Sequence, residues 1–456
     1  MTAYDAIVIG TGQAGPFLTR RLAAAGMSVA VIERGLIGGT CGNTGCTPTK
    51  TLVASAEAAH TARRAAEFGV SIAGPVGIDM KRVKARKDAV VEATRKRVLA
   101  GLSTENCTLY RDHARFIAPH EIRVGGTVLK SGRIFINVGG RASVPSMPGL
   151  DQIEYLTNSS MMDIDFVPQH LVIVGGSYVG LEFAQMYRRF GSEVTVIEMA
   201  PRLIRREDED VSAAILGILE REGVSVRLNA KCVIVAKSGA EITATVDCAT
   251  GAPVVSGTHL LIATGRRPNT DDLGLDEAGI AHDGRGFITV DDQLHTNVPG
   301  VWALGDCNGR GAFTHTAYND FEIVAANLLD DDPRRVSDRI PTYALFIDPP
   351  LGRAGLTEAE ARNTGKRLLV GKRAMTQVAR AVEKSETQGF MKIVIDEDTK
   401  QILGAVVLGP GGDEIIHCVL DLMYARAPYT VMQRAVHIHP TVSELIPTML
   451  GELRPL

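Results

Sequence analysis

The sequence predicts an α/β protein with two Rossmann-like dinucleotide-binding domains and a C-terminal α+β domain, and three observations predict it. An apolar strand pattern runs straight into a glycine-rich turn and a helix at the N-terminus. The same unit returns at His170. From about Ser337 onward, strand patterns such as "GFMKIVID" and "QILGAVVLG" alternate with the helical "DEIIHCVLDLMYARA". A chain of 456 residues has room for about three domains, and its 45% hydrophobic content supplies a core for each.

In the first unit, "YDAIVIGTGQAG", a strand leads into Gly10-x-Gly12-x-x-Gly15, followed by the helical "PFLTRRLAAAG" and a strand ending at Glu33. Gly10 permits the tight turn, Gly12 lets backbone approach a pyrophosphate, and Gly15 brings helix against strand. Glu33 is placed to accept hydrogen bonds from a ribose 2′-OH. The second unit, "HLVIVGGSYVGLEFAQMYRRFGSEVTVIE", repeats the order through Gly175, Ser177 and Gly180 to Glu198. Ser177 replaces the middle glycine and holds the backbone farther from a pyrophosphate. An acid at Glu198 disfavours a 2′-phosphate, which points to NADH over NADPH. Arg202, Arg205 and Arg206 follow in "PRLIRREDED", where they either turn toward a phosphate or form a solvated helix start.

With 49 Lys+Arg against 52 Asp+Glu, no basic field points to nucleic acid. The N-terminal apolar run is too short for a signal peptide or a membrane helix, so a cytoplasmic protein with no membrane partner is expected. The seven cysteines form no secreted framework, and Cys107, Cys232, Cys248, Cys307 and Cys418 read as buried or incidental thiols.

Cys41 and Cys46 are the exception, in "GGTCGNTGCTPTK". On a regular helix their Cα atoms would stand about 8.6 Å apart, beyond the roughly 6.8 Å a disulfide spans. The pair bridges only where the chain is distorted, and Gly42 and Gly45 are the permissive positions. Zinc needs a second pair of ligands, and none has the spacing, so no metal site is expected. A staple over so short a loop stabilises little. A redox-active pair remains.

This stretch resembles the GGTCxNxGCxPSK signature of the flavoprotein disulfide reductases, a family that includes glutathione reductase, dihydrolipoamide dehydrogenase and mercuric reductase. Both nucleotide loops, "ATGRRPN", "VWALGDC" and "HIHPTVSE" fall in the family's order along the whole chain. The resemblance implies FAD in the first site, with Thr40 and Asp306 among its contacts, and NAD(P)H in the second, with Tyr178 and Gly265 beside Gly175, Gly180 and Glu198. It implies that Cys46 faces the flavin and Cys41 attacks the acceptor, that Lys50 pairs with Glu182, and that His439 and Glu444 form an acid–base dyad reaching the cysteines of the other subunit. An obligate homodimer follows. The implied domains are 1–142 with 266–336 for FAD, 143–265 for NAD(P), and 337–456 for dimerisation.

The implied activity is an NAD(P)H:disulfide oxidoreductase passing electrons through flavin and the cysteine pair to a small disulfide or oxidant. Dihydrolipoamide dehydrogenase, a mercury or copper reductase, and a non-catalytic flavoprotein subunit are the alternatives. Gly42, Thr44, Thr47 and Thr49 depart from the usual signature and make the loop smaller and more polar. His315 stands where proline is common and is expected to be a satisfied helix-start histidine. The chain opens on its first nucleotide strand and ends "MLGELRPL", without the extra cysteines usual in mercuric reductases. "FTHTAYNDFEIV" and "IDPPLGRAGLTEAEA" are similar to the bacterial reductases induced by reactive chlorine species, which are implicated in copper(II) or hypothiocyanous acid reduction.

Overall fold

The structure, a computed structural model, describes residues 1–239, 241–247 and 253–456. Cys248 and the side chain of Cys232 lie outside the described residues. The first sheet has five strands, in the order Val301–Ala303, Ile134–Ile136, Ala6–Ile9, Val29–Ile32, Cys107–Tyr110, all parallel. Runs such as "AIVI" and "VAVI" are apolar throughout because both sheet faces are buried. Register places Ile9 beside Ile32 and Ile136, and Ile136 beside Ala303. Gly10, Glu33, Asn137 and Leu304 therefore leave the sheet side by side along its carboxyl edge, where ligands bind in open α/β sheets.

The second parallel sheet orders Ser225–Arg227, Glu193–Ile197, His170–Val174 and His259–Ile262. Val174 pairs with Ile197 and Ile262, so Gly175, Glu198 and Ala263 emerge together in the same manner. The third sheet is antiparallel, with six strands including Thr342–Leu345, Leu351–Gly355, Phe390–Asp396 and Ile402–Leu408, and the helix Gly412–Tyr424 follows the last of these.

Of the two alternatives open for the arginines of "PRLIRREDED", the helix start is excluded: that helix is Glu209–Arg221, and Arg202, Arg205 and Arg206 lie in the turns before it. Ile204, at φ 42°, is held in the left-handed region, and its N–H donates to the Gly176 carbonyl. No helix among the described residues is long and apolar enough to cross a membrane.

Candidate active site

Each nucleotide loop is closed by contacts that only glycine allows. A Cβ on Gly10 would stand 2.3 Å from the Asn137 carbonyl oxygen, and Gly10 itself sits at φ +102°. One on Gly15 would meet the Gly10 carbonyl at 2.3 Å. Asn137, which sequence reasoning missed, accepts from the Gly15 N–H at 3.0 Å and donates to the Leu304 carbonyl at 3.0 Å, tying turn to sheet. Glu33 accepts from the Thr11 N–H and hydroxyl and from the Gly35 N–H. In the second loop, a Cβ on Gly180 would lie 2.0 Å from the Gly175 oxygen, and the close-packed middle position is Gly176, against Leu203 and Glu198, while Ser177 is exposed. Glu198 accepts from the N–H groups of Gly176 at 2.6 Å and Ala200 at 2.7 Å.

A cavity of about 1060 Å³ joins the first loop to the cysteine pair, its lining running from Gly10, Gly12 and Glu33 past Asp306 to Cys41, Cys46, Lys50 and Glu182. Arg266 donates to Asp306 at 3.3 Å and to the Gly140 carbonyl. Burial still pushes the Asp306 carboxyl upward, and the arginine opposes that. Arg266 was missed too, although it follows Gly265 in "ATGRRPN". Gly265 sits at φ +123°, a conformation that favours glycine, and a Cβ there would meet no protein atom within 4 Å. Thr40 faces Gly140 and Arg266 at 3.4 Å.

The redox stretch forms two helices, Gly39–Asn43 and Cys46–Arg63, and the break between them brings the cysteines together. Gly45 is the distorted position, where a Cβ would lie 2.9 Å from the Thr40 oxygen. Gly42 is not: it is an ordinary buried helical residue beside Thr94, which corrects the pairing of the two glycines inferred from sequence. Both cysteines are free thiols. The Cys41 thiol donates to Cys46, which holds Cys46 down at about 6, helped by Thr314 and Lys50. Cys41, the donor, is pushed up. Thr314 Oγ1 lies 3.1 Å from Cys46 Sγ, a contact across 268 residues that no motif announced. Both Cys46 and Thr314 open helices, whose N-termini favour a thiolate.

Lys50 and Glu182 meet at 2.8 Å, as expected. Tyr178 lines this cavity and also a smaller one of about 610 Å³ formed by Ser177, Glu198, Ile204, Arg205 and Arg206. His315 bonds the Thr342 carbonyl at 2.9 Å and stacks on Phe313, and burial lowers its pKa. It is satisfied, yet it lines the cavity. His439 and Glu444 form their pair at 2.9 Å, but the histidine is 73% exposed and does not line the cavity. Of the other cysteines, Cys307 is buried, whereas Cys418 is exposed.

Residues 4–320 match the sequence profile of the pyridine nucleotide-disulphide oxidoreductases, and 341–450 match the dimerisation domain of the same family. The chain belongs to that family. It is 36% identical over 454 residues to the probable pyridine nucleotide-disulfide oxidoreductase RclA of Escherichia coli, covering 97% of this chain and 98% of that one. It is 34% identical to a mercuric reductase of Streptomyces lividans, over 98% of this chain and 95% of the relative, and 34% to a dihydrolipoyl dehydrogenase of Thermus scotoductus, over 97% and 96%. The solved Cu(II) complex of the HOCl-induced flavoprotein disulfide reductase RclA from Escherichia coli superposes with TM-score 0.90 at 34% identity, covering 99% of this chain and all of that one. As a pyridine nucleotide-disulphide oxidoreductase, this protein is an FAD-dependent enzyme that takes electrons from NAD(P)H. The larger cavity fits FAD: it is cradled at Gly12 and Gly39, where a Cβ on Gly39 would stand 2.8 Å from the Gly12 Cα, and carries the Glu33 carboxylate.

Proposed function

We propose that this oxidoreductase delivers the electrons of NAD(P)H through Cys46 and Cys41 to a small disulfide or oxidant. The observation that carries the reading is Cys46: a depressed thiol, hydrogen-bonded to Cys41 and Thr314, on the wall of the cavity that also holds Glu33 and Asp306. FAD, when bound, passes the electron pair of NAD(P)H to the cysteine pair. Glu33 would bind its ribose, the Gly10–Gly15 turn its pyrophosphate, and Asp306 its ribityl chain, all of which line that cavity. The hydrogen bond from Cys41 does most to keep Cys46 ionised, and Thr314 and then Lys50, anchored by Glu182, add to it. Cys41 keeps its proton until it attacks the acceptor as a thiolate, when the proton passes to the imidazole of His439 of the partner subunit and from there to the leaving group. Tyr178 covers the nicotinamide pocket between the two cavities.

The residues divide into 1–142 with 266–336 for FAD, 143–265 for NAD(P), and 337–456 for dimerisation. Glu198, with both oxygens fixed by backbone N–H groups, favours NADH. His439, exposed here and held by Glu444, serves the cysteines of the partner subunit in a homodimer. The likeness to RclA supports an oxidant acceptor, and the Cu(II) complex of that protein makes copper(II) one to test.

The test is oxidation of NADH and NADPH by the FAD-loaded dimer with glutathione disulfide, lipoamide, hypothiocyanous acid, Cu(II) and Hg(II). One acceptor turned over far above the others and lost in Cys41→Ser is expected. Two-electron reduction should also give a thiolate-to-flavin charge-transfer band. Its absence in both the wild type and Cys41→Ser would falsify the reading.

A further inference from the structure

The wall between the two cavities is braced by a buried carboxylate that the mechanism above does not use. Arg206, on the rim of the smaller cavity, lays its guanidinium 3.7 Å over the ring of Tyr343, which lines the larger one. Phe313 and Tyr178 complete the wall, 5.2 and 5.7 Å from the same guanidinium. The Tyr343 hydroxyl donates to Glu207, the residue next to Arg206, and Arg353 donates to both Glu207 oxygens. Glu207 is fully buried and Arg353 nearly so. Arg353 also approaches Asp208, which Lys392 contacts at 3.1 Å.

Burying two full charges costs several kcal/mol unless their geometry is excellent, so such a pair is weak evidence for stability. What it does here is geometric. Glu207 and Arg206 belong to the segment after the second nucleotide unit, whereas Tyr343 and Arg353 stand on neighbouring strands of the C-terminal sheet. The carboxylate fixes the tyrosine, and the ring in turn fixes the guanidinium by a cation–π contact. We infer that Glu207, held by Arg353, is a positioning residue that sets the Tyr343–Arg206 wall of the nicotinamide-nucleotide pocket and so ties the affinity of that pocket to the C-terminal domain. The inference rests on the smaller cavity taking the nicotinamide nucleotide.

The experiment compares wild type, Glu207→Gln and Tyr343→Phe as FAD-loaded full-length dimers. Three quantities are read: the Kd of NAD+ and NADP+ by calorimetry, KM against kcat for NADH, and re-oxidation of pre-reduced enzyme by an acceptor. Both variants should weaken nucleotide binding and raise KM by about tenfold while re-oxidation stays within about twofold. Nucleotide affinity unchanged in a folded variant overturns the inference, as does a fall in binding and re-oxidation together. If Glu207→Gln does not fold, Tyr343→Phe decides, since it removes only the hydroxyl link. Wild type that binds neither nucleotide overturns the pocket assignment itself, whatever the variants do.

Discussion

Lys50 Nζ lies 2.8 Å from Glu182 Oε2, joining the helix that begins at Cys46 to the helix that begins at Tyr178. Glu182 is almost fully buried and also accepts from the Phe346 N–H, and Lys50 sits 4.4 Å over the Phe346 ring. The pair thus carries position and charge to the cysteines at once.

Lys50→Met removes one member of this pair and leaves a buried carboxylate. Since Lys50 is partly exposed, we expect a loss of about 2–3 kcal/mol, below the range for fully buried pairs. The Cys46 pKa should rise above about 6, because the lysine charge helps to hold it down. Denaturant unfolding and a pH titration of the reduced enzyme read the two effects separately.

The Cys46 thiolate gives the enzyme a pH signature. A group whose pKa is depressed in the folded state contributes stability that is complete above its unfolded pKa and is lost as pH falls through the folded value. The charge-transfer band should therefore be full at neutral pH and fall with a midpoint of about 6. Thr314→Val, which removes a hydrogen bond to the sulfur, should move that midpoint up, by roughly one unit for a bond to a charged group. A midpoint unchanged in the variant would show that Thr314 has no part in ionising the thiol.

Gly45→Ala places a methyl group 2.9 Å from the Thr40 oxygen, at the break that lets the cysteines meet. We expect a loss of about 1–3 kcal/mol and slower closure of the Cys41–Cys46 disulfide. Gly42→Ala, in ordinary contact with Thr94 at 3.7 Å, should leave disulfide closure unaltered. Thiol counting during timed re-oxidation separates the two.

Sharing of sites between subunits is tested with a mixed dimer of Cys41→Ser and His439→Gln chains. If His439 serves the partner's cysteines, one site has both defects and the other none, so about half of the wild-type activity should survive. If each subunit uses its own histidine, both sites are defective. Turnover of the purified heterodimer gives the answer directly.

The nucleotide loops, the cysteine pair and the His439–Glu444 dyad were legible because each is a local pattern. Gly10, Gly15, Gly175 and Gly180 stand where backbone is in contact with backbone, and such contacts recur at fixed spacing. Gly42 was misjudged because spacing shows that the chain must break between the cysteines but not at which glycine. The arginines after Glu198 stayed open between two readings for a related reason, since a run of charge looks the same in a turn as at a helix start.

The sequence by itself determined two dinucleotide units, a redox-capable cysteine pair and the order of the parts, since each is written within a few dozen consecutive residues. Only the tertiary structure decided which side chains tune them. Thr314 reaches Cys46, Arg266 reaches Asp306, and Arg353 reaches Glu207 across 268, 40 and 146 residues. The sheets' registers and the packing of the three parts bring those atoms together, and no spacing along the chain encodes such a meeting.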